Sequence, residues 1–108
     1  PSGCIVIGHG PVGQQVLRVL AERGVPATVI EMNLATVRAV RATGIPAVYG
    51  DATRVETLIE AGLDRAESLV ISADLEAAAE VVRQAIARRP DLRIMARCAT
   101  LRDVEPLR

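Results

Sequence analysis

The sequence predicts an α/β domain: a parallel sheet in the strand order 3-2-1-4-5, with helices on both faces making three layers. Three observations predict it. Short apolar runs alternate with stretches of helical period along the chain, the pattern of consecutive β-α-β units with right-handed crossovers. The connections between them are short and punctuated by glycine and proline. Half of the 108 residues are apolar, yet there is no Phe, no Trp and one tyrosine, Tyr49. The core is therefore Val, Leu, Ile and Ala, which suits a parallel sheet buried between Ala-rich helices. A chain of this length is expected to form one domain, residues 1–108, with a core of its own.

Cys4 to Ile7 is an apolar run that ends in glycine and reads as the first strand. A helix follows over Val12 to Arg23, with Val12, Val16, Leu17, Val19 and Leu20 as its apolar stripe and Gly24 as its stop. Ala27 to Ile30 is the second strand, closed by Glu31. Leu34 to Ala42 is the second helix; Leu34, Val37 and Val40 face inward, Arg38 and Arg41 face water, and Gly44 ends it. Ala47 to Tyr49 is the third strand. Thr53, with Glu56 three residues on, predicts a capping box opening a helix that ends at Gly62. Leu69 to Ile71 is the fourth strand, Leu75 to Arg89 the longest helix, and Arg93 to Ala96 the fifth strand. Arg88 and Arg89 are expected to offset the dipole at that helix's end. Thr100 and Asp103 predict the start of a last helix before Pro106.

Composition excludes several function classes. Thirteen basic residues, all arginine, balance thirteen acidic ones, so the basic face that nucleic-acid binding requires is not expected. The lack of aromatics removes the stacking platforms of single-strand binders. Cys4 and Cys98 are too few and too far apart for a zinc site or a disulfide framework, and are expected to be buried thiols. No apolar run reaches the ~20 residues that span a bilayer.

Gly8-His9-Gly10-Pro11-Val12-Gly13 fits G-x-G-x-x-G between an apolar strand and an amphipathic helix, the context that gives this pattern its meaning. Gly8 permits the tight turn, Gly10 lets a phosphate approach the backbone, and Gly13 lets helix pack on strand. The anion would lie at the helix N-terminus. Pro11 has no N–H, so the donors expected are the amides of His9, Val12 and Gly13. Glu31 stands 18 residues after Gly13, where a dinucleotide fold places the acid that accepts from ribose hydroxyls and disfavours a 2′-phosphate. Met32 follows it in the same loop. Asp51 either accepts from an adenine amino group, with the Ala52 amide donating to the ring, or caps the helix that follows. His9, the single histidine, has no nucleophile or metal ligand near it in sequence and reads as a loop residue beside the phosphate.

Gly8 to Gly13, Glu31, Gly50-Asp51-Ala52-Thr53 and Ile94-Met95-Ala96-Arg97, in this order and spacing, resemble the RCK N-terminal (TrkA-N, or KTN) domain. Within it they are most similar to the cytoplasmic NAD-binding domain of Kef-type potassium/proton antiporters. The resemblance covers nearly the whole chain and implies a Rossmann-like regulatory fold rather than an enzyme. It implies an adenine nucleotide, NAD(H) or AMP, with ADP and ATP as further candidates. It also implies a homodimer, and a transmembrane antiporter domain, in the same or a partner chain, that the ligand gates. By position, Gly8, Gly10 and Gly13 would hold phosphate and Glu31 the ribose. Asp51 and Ala52 would read adenine, and Ser72, Ala73 and Asp74 would line the other side of the crevice. Arg97 matches an arginine of the glutathione site of Kef proteins. Those proteins carry acids and an asparagine after the fourth strand, where this chain has Ala73-Asp74-Leu75-Glu76-Ala77-Ala78, so glutathione control is not expected. The expectation is thus a sensor domain cut from a larger protein of the bacterial inner membrane, on its cytoplasmic side. The alternatives are the cofactor-binding half of an NAD-dependent oxidoreductase and a free-standing TrkA-like subunit of a potassium uptake system.

Overall fold

The apolar run Cys4–Ile7 forms β1, buried along its whole length. In the computed structural model, which describes residues 3–98, it is followed by α1 (Pro11–Glu22), β2 (Ala27–Glu31), α2 (Leu34–Ala42) and β3 (Ala47–Tyr49). Then come α3 (Val55–Glu60), β4 (Ser68–Ala73), α4 (Leu75–Arg88) and β5 (Arg93–Cys98). The helix expected from Thr100 lies outside the described residues. All strand pairs are parallel and the order is β3-β2-β1-β4-β5, as the sequence predicts.

Alternation along a strand sends neighbouring side chains to opposite faces, and β1, in the middle of the sheet, feeds two cores. Ile5 and Ile7 pack with Leu58, Leu63, Val81 and Ala85 on the face covered by α3 and α4. Cys4 and Val6 pack with Leu17, Val37 and Val40 on the face covered by α1 and α2. Burial pushes the Cys4 thiol above its ordinary pKa, against smaller opposing effects of hydrogen bonds with Ser68 and Val70.

Helix starts follow local chemistry. Gly10 is the N-cap of α1, with Pro11 in its first turn. Asn33 Oδ1 accepts from Thr36 N at 3.0 Å to open α2, and Asp74 Oδ1 accepts from Ala77 N at 2.8 Å to open α4. The third helix departs from the sequence reading. It begins at Val55 with Arg54 as N-cap and no side-chain cap bond, so no capping box forms at Thr53. The Thr53 amide and hydroxyl instead donate to Asp51 Oδ1, at 2.9 and 2.7 Å. Asp51 thus closes a local turn that holds Thr53 outside the helix.

Arg88 and Arg89 do more than offset a dipole. Arg88 pairs two-pronged with Asp64, Nε to Oδ1 at 2.6 Å and Nη2 to Oδ2 at 3.0 Å. Arg89 Nη1 donates to Leu63 O at 2.8 Å and Ala66 O at 3.0 Å. Together they fasten the end of α4 to the loop that leads into β4.

Candidate functional site

The strand order reverses between β1 and β4, so the loops after these strands diverge to opposite faces and leave a crevice at the carboxyl ends of the strands. The glycine loop after β1 forms its floor. Gly8 N donates to Ile30 O at 3.0 Å, carrying the β1–β2 ladder one residue past the strand. Gly8 has φ +93°, and a Cβ there would lie 2.6 Å from Ser72 O. A Cβ on Gly13 would lie 2.3 Å from Gly8 O, because the first turn of α1 folds back over the loop. Both glycines are therefore required by the fold itself. Gly10 is different: it has φ −82° and ψ −165°, an ordinary extended conformation, and a Cβ there would meet nothing within 4 Å. Neither backbone conformation nor packing calls for glycine at that position.

The amides of this loop divide in two. His9 N donates to Glu31 Oε1 at 3.1 Å, which corrects its assignment as a donor open to phosphate: a carboxylate is a stronger acceptor than water and has claimed it. The amides of Gly10, Val12 and Gly13 make no hydrogen bond to other described residues, while Gln14 N donates to Gly10 O to begin the helix ladder. No acidic side chain stands in the first turn of α1; the carboxylate that reaches this loop is that of Glu31, on His9 N.

Beside this loop is a cleft of about 210 Å³ between β1, β2, the β3–α3 loop and α4. Of the residues selected from the sequence, Gly8, Glu31, Met32, Asp51, Ala52 and Ala73 line it. Ala52 is buried, Met32 is exposed at its rim, and much of the wall is apolar, with Ile7 and Ile30 forming its base. The Asp51 carboxyl is held below its ordinary pKa, first by the Thr53 hydroxyl and then by the Thr53 amide. Both bonds use Oδ1. Asp51 thus closes a turn at the cleft wall instead of capping α3.

Ser72 brings its carbonyl oxygen close to Gly8 and does not line the cleft. Arg97 stands in β5 opposite Ser72 of β4; its side chain lies outside the described part of the structure. Sequence reasoning missed Ala77 and Val81, which close the cleft from α4. Their i, i+4 spacing puts both on one helix face, but periodicity does not say which wall that face becomes. Among the described residues no group of three His, Cys, Asp or Glu could hold a metal ion.

The sequence matches the model of the TrkA-N domain over residues 4–108. The chain belongs to the TrkA-N family. It is 36% identical over 105 residues to a protein of Alkalimonas amylolytica named as the K(+) efflux antiporter KefB, covering 96% of this chain and 16% of that protein. This TrkA-N domain thus spans about one-sixth of the length of that curated relative. The solved TrkA-N domain of inner membrane protein ybaL from Escherichia coli superposes with TM-score 0.86 at 32% identity, over 90% of this chain and 73% of that one. A Shewanella denitrificans Kef C-terminal domain in AMP-bound form superposes with TM-score 0.71 at 30% identity, over 88% of this chain and 57% of that one. The GsuK channel bound to NAD, at 19% identity and TM-score 0.80, over 88% of this chain and 17% of that one, shares the fold. The relatives at 30% identity or more carry the names of an antiporter, an inner membrane protein and a Kef domain, none of them a catalyst's, and the alternative of an oxidoreductase half finds no support in them.

Proposed function

We propose that this TrkA-N domain binds an adenine nucleotide in the crevice and thereby gates a potassium efflux or cation–proton antiport unit. The observation that carries the reading is Gly10, a glycine that neither conformation nor packing requires, among amides that bond to no other described residue. A phosphate resting on Gly10, Val12 and Gly13 supplies the missing reason, since a side chain at position 10 would occupy the approach to the helix N-terminus. The ribose then lies at Glu31, and adenine enters the cleft between Met32, Asp51 and Ala52. NAD(H) and AMP are the leading ligands, with ADP and ATP the other candidates; the AMP-bound Kef domain and the NAD-bound channel are in keeping with this choice. The Glu31 carboxylate disfavours a 2′-phosphate and hence NADP.

The domain acts, in this reading, on the cytoplasmic side of the bacterial inner membrane, as a homodimer joined to a transmembrane antiporter domain in the same or a partner chain. Gating requires that the nucleotide bind one arrangement of the dimer better than the other. A tenfold preference supplies about 1.4 kcal/mol per site. Calorimetric titration with AMP, ATP, NAD and NADH tests the binding step. Saturable heat with at least one of them, lost in Gly10→Val, is the expected result; no heat at millimolar nucleotide overturns the reading. Potassium flux through the full-length protein, measured with and without the bound nucleotide, tests the gating step.

A further inference from the structure

Glu31 is placed by its resemblance and spacing as a ribose acceptor, yet its two oxygens are already engaged inside the protein. Oε1 accepts from His9 N at 3.1 Å. Oε2 accepts from Met32 N at 3.0 Å and from Asn33 N at 3.1 Å. His9 belongs to the loop after β1, and Met32 and Asn33 to the loop after β2, so one carboxylate ties together the two loops that border the crevice. We infer that Glu31 is a positioning residue of the phosphate loop, holding His9 so that the amides of Gly10, Val12 and Gly13 stay presented to a phosphate. The inference deepens the nucleotide reading and rests on it.

The physical case is one of stiffness and of acceptor capacity. His9 sits between Gly8 and Gly10, two residues with the most backbone freedom to lose. A loop of this composition needs an anchor if its donors are to be ordered before the ligand arrives, and ordering in advance is what lowers the entropy lost on binding. Hydrogen bonds from amides to a carboxylate are among the stronger ones available, and here three converge on one side chain. A carboxylate oxygen accepts about two donors. Met32 and Asn33 therefore fill Oε2, and Oε1 keeps one position for a ribose hydroxyl beside His9. A residue serving the ribose alone would hold both oxygens toward the crevice. Met32, Asn33 and His9 contribute only backbone groups to this clasp, so nothing in their side-chain identities advertises it.

The test separates the two roles by removing the ribose hydroxyls from the ligand. Affinities of wild type and Glu31→Ala are measured for AMP and for 2′,3′-dideoxy-AMP. If Glu31 positions the loop, the substitution weakens both, the dideoxy nucleotide by roughly fivefold or more. Unchanged dideoxy-AMP affinity in the variant overturns the inference and leaves ribose binding as the whole role. A second measurement needs no variant and no ligand: amide hydrogen exchange in the wild-type chain. His9 N, bonded to Glu31, is expected to exchange about tenfold more slowly than Gly10 N after correction for intrinsic rates; equal rates overturn the inference. This arm decides the matter if Glu31→Ala does not fold or if the dideoxy nucleotide binds too weakly to measure. Wild-type protein that binds neither nucleotide, yet protects His9, would retain the clasp and refute the nucleotide reading.

Discussion

The three motif glycines carry different burdens, and substitution separates them. At Gly13 a Cβ would stand 2.3 Å from the Gly8 carbonyl oxygen, a backbone atom that has no free rotation with which to move aside. Gly13→Ala is expected to destabilise the fold by about 3 kcal/mol or more, read as a fall in the urea midpoint. Gly10→Ala meets no atom and no unfavourable backbone conformation, so its stability should stay within about 0.5 kcal/mol of wild type. The same variant should weaken nucleotide binding, which calorimetry reads separately. In sequence the glycines look like one motif, because spacing records where they stand and not what each one touches. His9 shows the same limit: its place beside the helix N-terminus is legible, whereas the Glu31 carboxylate that claims its amide stands 22 residues away.

Among the elements, the strands and α2 are legible because their apolar runs and glycine stops are local. The start of α3 and the contacts at the end of α4 are not, because competing acceptors outside each helix decide them. Thr53 and Glu56 have the spacing of a capping box, but Asp51, two residues earlier, takes both Thr53 donors first and delays the helix to Val55. Position alone predicts a dipole contact for Arg89, while its guanidinium reaches across 26 residues to Leu63 O and 23 to Ala66 O. Arg89→Ala leaves those carbonyls without this donor and is expected to cost about 1–3 kcal/mol by urea unfolding. Arg89→Lys, which cannot present the same planar fork, should recover only part of it. Arg88→Ala, which removes an exposed ion pair with Asp64, should lower the urea midpoint much less than Arg89→Ala does.

Across the whole molecule, charge sums to zero, and stability should depend on pH through a few shifted groups. Asp51, Asp64 and Asp91 are held below their ordinary value of 3.8 by Thr53, Arg88 and Arg89 respectively. The folded protein therefore binds fewer protons than the unfolded chain just below that value. The stability these groups contribute is present above pH 3.8 and is lost as the pH falls through their lower folded values. Cys4 runs the other way: its raised pKa contributes stability that is present below 9.0 and declines as the pH rises from there toward the folded value. Urea midpoints between pH 2 and 10.5, roughly, should form a plateau falling at both ends, the alkaline fall absent in Cys4→Ala. The sequence by itself determined the α/β class, the strand order and the placing of the glycine loop and its acid, because these follow from periodicity, short connections and the handedness of crossovers. Tertiary structure alone decided which amides of the glycine loop bond to another described residue, that Glu31 fastens two loops, and that Ala77 and Val81 wall the cleft. Those outcomes depend on competition among donors and acceptors that only the folded chain brings within 3 Å or so of one another.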